Sequence, residues 1–279
     1  MTTQEILKLQ PSDESIRIIY EYLSASSHSF TVYQTVFVHL MEIKLSLKYF
    51  KDVVSEGQAH INKYMHPDFL ENHEQLFSIV SQAAIQINEF DLANTYINMR
   101  RDALPMMKKY LITYDIITYK KALNQSYEQE VLTVLSDVIP VHDKLYFYQT
   151  LLELYITQDA DLKALDVIEK MKGYDGDDGY LIIKLKLLFK TGRYEDAKSL
   201  GNELKHHDKY ALDAFLVLLE IYIREKDGHR LSILEADYED RFDELDLDKQ
   251  IRVFELLSTF YKQNNNKMSF DFYSKKLKN

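Results

Sequence analysis

The side chains whose types could do chemistry in this 279-residue chain are nine histidines, one acidic run and three lysine pairs. The histidines stand at 28, 39, 60, 66, 73, 142, 206, 207 and 229. None forms HExxH, and a chain without cysteine has no CxxC to join them, so the spacing of a zinc site is missing. His60 and His66 are six apart and fall off one helical face, while His206 and His207 sit where a helix should end and are expected to cap its carbonyls. The acidic run 235–249, EADYEDRFDELDLDK, offers oxygen ligands. A calcium loop needs a central glycine, however, and none lies between Gly228 and the C-terminus. The segment YDGDDGY (174–180) has no glutamate at the required distance and reads as a turn, with Gly176 and Gly179 free to take positive φ. There is no nucleophile elbow, phosphate loop or dinucleotide fingerprint. Paired carboxylates are too common on acidic helices to mark glycosidase chemistry. No enzyme activity, metal or cofactor is expected.

The net charge of −10 argues against a phosphate-backbone partner, which needs clustered Lys and Arg. The Lys-Lys pairs at 108–109, 120–121 and 275–276 read as helix ends, where cations favour the dipole. No stretch approaches 18 uncharged apolar residues, so nothing is expected to span a membrane. The N-terminus MTTQEILKLQPSDES lacks the basic start and apolar core of a secretory signal, and the absence of cysteine is compatible with a reducing compartment; a cytoplasmic protein is expected. A homo-oligomer remains open.

Hydrophobic content of 46% and charged content of 28% suit a folded chain, and 7 Gly with 4 Pro leave little room for long loops or a β-rich design. With 21 Tyr, 14 Phe and no Trp, helix contacts should be made by flat rings. Apolar residues recur at helical spacing almost throughout. The segment DESIRIIYEYLSA (13–25) carries Ile16, Ile19, Tyr20 and Leu23 on one face, behind Pro11, and SASSHS (24–29) is the first loop. Helix pairs follow at 31–48 with 51–65, 70–87 with 90–103, 108–123 with 126–138, 143–157 with 160–172, 178–191 with 194–206, 210–225 with 228–241, and 247–263 with 266–277. Pro67, Pro105 and Pro140 act as stops, and the 108–138 pair is the least regular. Ala164 and Ala197 hold the same place in successive pairs, 197 − 164 = 33 residues apart, and Leu231 follows 231 − 197 = 34 later. The next step, from 231 to 270, is 39, which places an insertion in the acidic stretch around Asp237–Asp248. A period near 34 built from helix–turn–helix units is that of a helical solenoid, stabilised by contacts between neighbours.

Phe90, Ala93, Tyr155, Ala164, Tyr194, Ala197, Tyr222 and Pro105 together resemble the tetratricopeptide repeat family. Tyr155 and Tyr222 match its first-helix tyrosine, Ala93, Ala164 and Ala197 its second-helix alanine, and Pro105 its closing proline. The pattern departs where the small first-helix residue is replaced by Leu152, Leu185 and Leu219. The resemblance implies an all-α right-handed α-α superhelix of about seven hairpins, with a helical cap over 1–69 and a continuous array over 70–279. Bacterial proteins similar to this are scaffolds, adaptors or peptide-sensing regulators. In such arrays the first helix of each repeat lines a concave face. The polar first-helix residues off the apolar stripe are then Gln82, Gln86, Lys120, Lys121, Gln149, Glu153, Lys186, Lys190, Glu220, Arg224, Glu255 and Gln263. Amides suit an extended peptide because they both donate and accept. Lys186 and Lys190, four apart on one helix face, with Arg224 would hold a carboxylate, unless Glu220 neutralises them. The expected function is a non-enzymatic adaptor holding a protein or peptide segment. The alternative is a peptide-sensing receptor, although 1–65 offers no basic recognition helix for DNA.

Overall fold

The computed structural model describes residues 1–25, 28–174, 179–207 and 209–277. Four of the seven residues of the expected glycine turn 174–180, Gly176 included, and part of the 24–29 loop lie outside them. Among the described residues the chain is built of helices and forms no strand. It divides into two compact units, 1–139 and 140–279.

The first unit holds α1 (Thr3–Ile6), α2 (Asp13–Ala25), α3 (Phe30–Ser46), α4 (Phe50–Tyr64), α5 (Glu74–Gln86), α6 (Phe90–Ala103), α7 (Ile112–Ala122) and α8 (Glu128–Leu135). Single 3₁₀ segments, Pro67–His73 and Met106–Leu111, precede α5 and α7. The second unit holds α9 (Val141–Thr157), α10 (Asp161–Met171), α11 (Gly179–Lys190), α12 (Tyr194–Leu204), α13 (Ala211–Glu225), α14 (Gly228–Tyr238), α15 (Leu247–Gln263) and α16 (Lys267–Lys276). The insertion expected near Asp237–Asp248 is a 3₁₀ segment, Glu239–Glu244.

One turn is used seven times. Lys48, Asn88, Asn124, Asp159, Gly192, Lys226 and Asn265 each adopt positive φ between paired helices. The amide of the following residue then donates to the carbonyl five residues back: Tyr49 to Lys44, Glu89 to Ala84, Gln125 to Lys120, Ala160 to Tyr155, Arg193 to Leu188, Asp227 to Tyr222 and Asn266 to Tyr261, all at 2.8–2.9 Å. This is the Schellman closure, which satisfies carbonyls that the helix end leaves without a partner. Only Gly192 can adopt the left-handed conformation without strain; three asparagines and an aspartate tolerate it, and Lys48 and Lys226 hold it against steric resistance.

The turn sets the register of everything around it. Five residues after five of these turns stand Val53, Ala93, Ala164, Ala197 and Leu231, each fully buried, while Gln129 and Phe270, at the other two, are exposed and half-buried. Two glycines share this register: Gly57 and Gly201, nine residues past Lys48 and Gly192, lie where the second helix meets the next first helix. A methyl group on Gly201 would approach Leu218 to 2.9 Å, and one on Gly57 would collide with Val80. First helices also pack on one another, α3 on α5 and α5 on α7 in the first unit, α11 on α13 and α13 on α15 in the second.

Candidate interaction face

The expected site residues occupy the first helices at fixed distances before each turn. Gln82, Glu153, Lys186 and Glu220 stand six residues before Asn88, Asp159, Gly192 and Lys226; Gln86, Lys190, Arg224 and Gln263 stand two before Asn88, Gly192, Lys226 and Asn265. Six and two are four apart, one helical turn, so these positions share a face.

A hydrogen-bonded rung recurs between neighbouring first helices. The residue six before one turn reaches the residue thirteen before the next. In the second unit Lys186 Nζ meets Asp213 Oδ1 at 3.0 Å, and Arg252 Nη2 meets Glu220 Oε1 at 2.9 Å. In the first unit Gln75 Nε2 donates to Glu42 at the same two positions. Gln149 makes a related crossing, donating to the Tyr180 hydroxyl at 2.5 Å. Glu220 therefore pairs with Arg252, and not with Lys186 or Lys190. Reading the sequence missed Arg252 and Asp213. Their signal was the period: 213 − 186 = 27 and 252 − 220 = 32 are the spacings of the flanking turns, 226 − 192 = 34 and 265 − 226 = 39, each less the seven residues between the two rung positions.

The three cations meet different surroundings. Lys190 is held by Asp159 at 2.7 Å and Asp161 at 3.0 Å, both at the preceding hairpin turn. The Asp159 hydrogen bond, then that of Asp161, raises the Lys190 pKa, and Lys190 lowers that of Asp159. Among the described residues Arg224 meets no carboxylate; its guanidinium lies 4.8 Å over the Phe189 ring and 3.3 Å from the Tyr194 hydroxyl. The cations of these pairs are more than half exposed, and each surface pair is worth about 0–1 kcal/mol.

The remaining expected residues divide. Lys120 is committed to Glu130 at 2.5 Å; burial pushes the glutamate pKa up, and the Lys120 hydrogen bond, a backbone hydrogen bond and the Lys120 charge together leave it lowered. Lys121 lies 5.5 Å over the Tyr127 ring. Glu153, Gln86, Glu255 and Gln263 are exposed. Gln82 Nε2 donates to Ser78 Oγ at 3.2 Å and so joins a buried network: Ser78 donates to Asp115 at 2.9 Å, and Arg100 bridges Asp115 and Glu74 at 2.5 Å each. That network ties α5, α6 and α7 together.

Within the acidic run Glu235 and Asp246, and among the histidines His60 and His207, make structural contacts. Glu235 accepts from the hydroxyls of Tyr261 and Tyr273, and Asp246 caps α15 by accepting from the Lys249 amide at 2.9 Å. Burial first, and Glu235 second, push both tyrosines well above their ordinary pKa. His207, expected to cap carbonyls, stacks on Tyr210 with ring centroids 4.8 Å apart. His60 is buried against Phe37, 4.1 Å between centroids, with Nε2 2.5 Å from Gln34 Oε1. Among the described residues no group of three or more His, Asp or Glu could hold a metal ion, and no helix is long and apolar enough to cross a membrane.

Compared with known proteins, the chain matches no family model and no curated protein sequence. The reading of function therefore rests on the turn, the rung and the residues around them.

Proposed function

We propose that the chain is a non-enzymatic scaffold or adaptor of the tetratricopeptide kind, working in the cytoplasm. In this reading the seven hairpins stack into a right-handed α-α superhelix, and the first helices hold a protein or peptide segment on their concave side. The supporting observation is the recurring rung, found at Glu42–Gln75, Lys186–Asp213 and Glu220–Arg252. It sets first helices side by side, with exposed polar side chains at equivalent heights. Such a face recognises an extended chain through many weak polar contacts, each formed in exchange for a rung. The alternative is a peptide-sensing receptor without a DNA-binding segment, favoured by the amides Gln82, Gln86, Gln149 and Gln263 on first helices.

The test is Lys186→Glu with Lys190→Glu and Arg224→Glu in the full chain, measured against a partner recovered by affinity capture and identified by mass spectrometry. These side chains are exposed, so the variant should fold with an unchanged helical circular dichroism spectrum. We expect binding to fall at least tenfold. Binding at wild-type affinity would remove these residues from the site, and small-angle scattering of a compact sphere would remove the superhelix.

A further inference from the structure

Outside the first-helix face, the first unit carries an open groove of about 560 Å³ between the Met106–Leu111 segment with α7 and the end of α8. It lies at the open end of the α7–α8 hairpin, opposite the Asn124 turn. Its lining is unlike the rest of the surface. Met106 is 82% exposed, Met107 90% and Val138 fully so, which makes them three of the four most exposed large hydrophobics among the described residues. Tyr110 and Ile116 continue the apolar wall inward. Isolated exposed apolar residues need no explanation, but three converging on one concavity do. Methionine is flexible and polarisable and moulds to varied apolar partners.

The rim supplies the polarity. Lys108 and Lys109, beside the two methionines, have no carboxylate partner among the described residues. Glu130, on the opposite wall, is already neutralised by Lys120. Asp137 alone marks the far lip. An unpaired double cation next to an apolar groove, in a chain of net charge −10, is complementary to an acid adjoining large apolar side chains. We infer that the groove docks a short amphipathic segment of another protein, with two apolar side chains on Met106, Met107 and Val138 and a neighbouring Asp or Glu on Lys108 and Lys109. A peptide is favoured over an anionic bilayer because the site is concave and Asp137 stands on its lip.

The probe is a displayed library of random 12-residue peptides, selected on the immobilised full chain. Enriched peptides are expected to combine two large apolar residues with an adjacent Asp or Glu. They should lose at least tenfold in affinity on Met107→Glu, and on Lys108→Glu with Lys109→Glu, the latter loss shrinking at high salt. All three positions are exposed, so unchanged melting will show that the variants fold. The same peptides should bind the Lys186→Glu, Lys190→Glu, Arg224→Glu variant normally, which separates this site from the first-helix face. The proposal is overturned if no peptide is enriched or if the enriched peptides are basic or indifferent to Met107→Glu. Loss of the peptides on the first-helix variant overturns it as well. So does self-association or binding to anionic vesicles that Met107→Glu abolishes without any peptide selection.

Discussion

Asp115 is 2% exposed and receives Ser78 and Arg100 at once, while Arg100 itself is 12% exposed and also meets Glu74. Two charges taken this far out of water are held by each other and by their remaining hydrogen bonds. Asp115→Ala removes the more deeply buried anion and leaves Arg100 with Glu74 only. The expected cost is about 3 kcal/mol in chemical denaturation, and a change below 1 kcal/mol would mean that the network is replaceable. Adding Arg100→Met should recover much of that loss, since a buried pair exchanged for apolar packing is often neutral. Lys44 belongs to the same class of feature: 4% exposed, it donates to Glu56 at 2.6 Å and to the Tyr20 hydroxyl at 2.7 Å. Neither network was legible in the chain, because Lys44 and Glu56 are twelve apart, and Arg100 and Asp115 fifteen, on different helices.

At the scale of elements, the repeated turn makes a prediction of opposite sign at two equivalent positions. Gly192 has φ 75° and Lys226 has φ 57° in the same closure. Gly192→Ala places a Cβ in the left-handed region and should destabilise by roughly 1–2 kcal/mol. Lys226→Gly relieves the same strain, less the entropy glycine adds to the unfolded chain, and should stabilise by roughly 0.5–1 kcal/mol. Melting temperatures moving in the same direction would refute the shared geometry. The α3–α4 hairpin makes a second prediction, in pH. Burial, with His73 and Lys63 adding repulsion, pushes His60 down to about 4 from its ordinary 6.5. Its ring faces Tyr33, Phe37, Tyr64 and His73, with Gln34 as its hydrogen-bonding neighbour and no carboxylate among the contacts described. A group with a lowered histidine pKa is neutral when folded, so the unfolded chain binds the extra proton. The stability is therefore fully present above about 6.5 and lost as pH falls toward 4, by on the order of 3 kcal/mol. Replacing His60 by Gln should flatten that part of the stability profile, and an unchanged slope would assign the acid sensitivity elsewhere.

For the whole molecule, stability built from neighbouring helices predicts what truncation does. Ending the chain at Asp246 removes α15 and α16. Phe215 keeps its stack with Tyr238 at 4.7 Å and its contact with Phe242 at 5.6 Å, but Phe242 loses Phe254, and α13 loses the helix packed beside it. Glu220 loses Arg252 as well. The shortened chain should melt lower and self-associate, because a newly exposed apolar face beyond a few hundred Å² is sticky. A monomer with unchanged melting, seen by analytical ultracentrifugation and circular dichroism, would contradict nearest-neighbour stabilisation.

The helices, their pairing and the approximate period were legible in the chain because they depend on spacing along it. Ala164 and Ala197 lie 33 apart because each sits five residues past a turn and both are fully buried against a neighbouring helix. Those requirements are local, so composition and periodicity carry them. The turns themselves were marked only at Gly192; the same closure at Lys48 and Lys226 was invisible, since lysine carries no signal for a left-handed residue. The partners of the charged residues were decided by tertiary structure alone. Glu220 could have met Lys186 or Lys190, and meets Arg252, because α13 packs on α15 and presents that carboxylate to it. Exposed charges have many partners of similar energy, and only the placement of the next helix chooses among them.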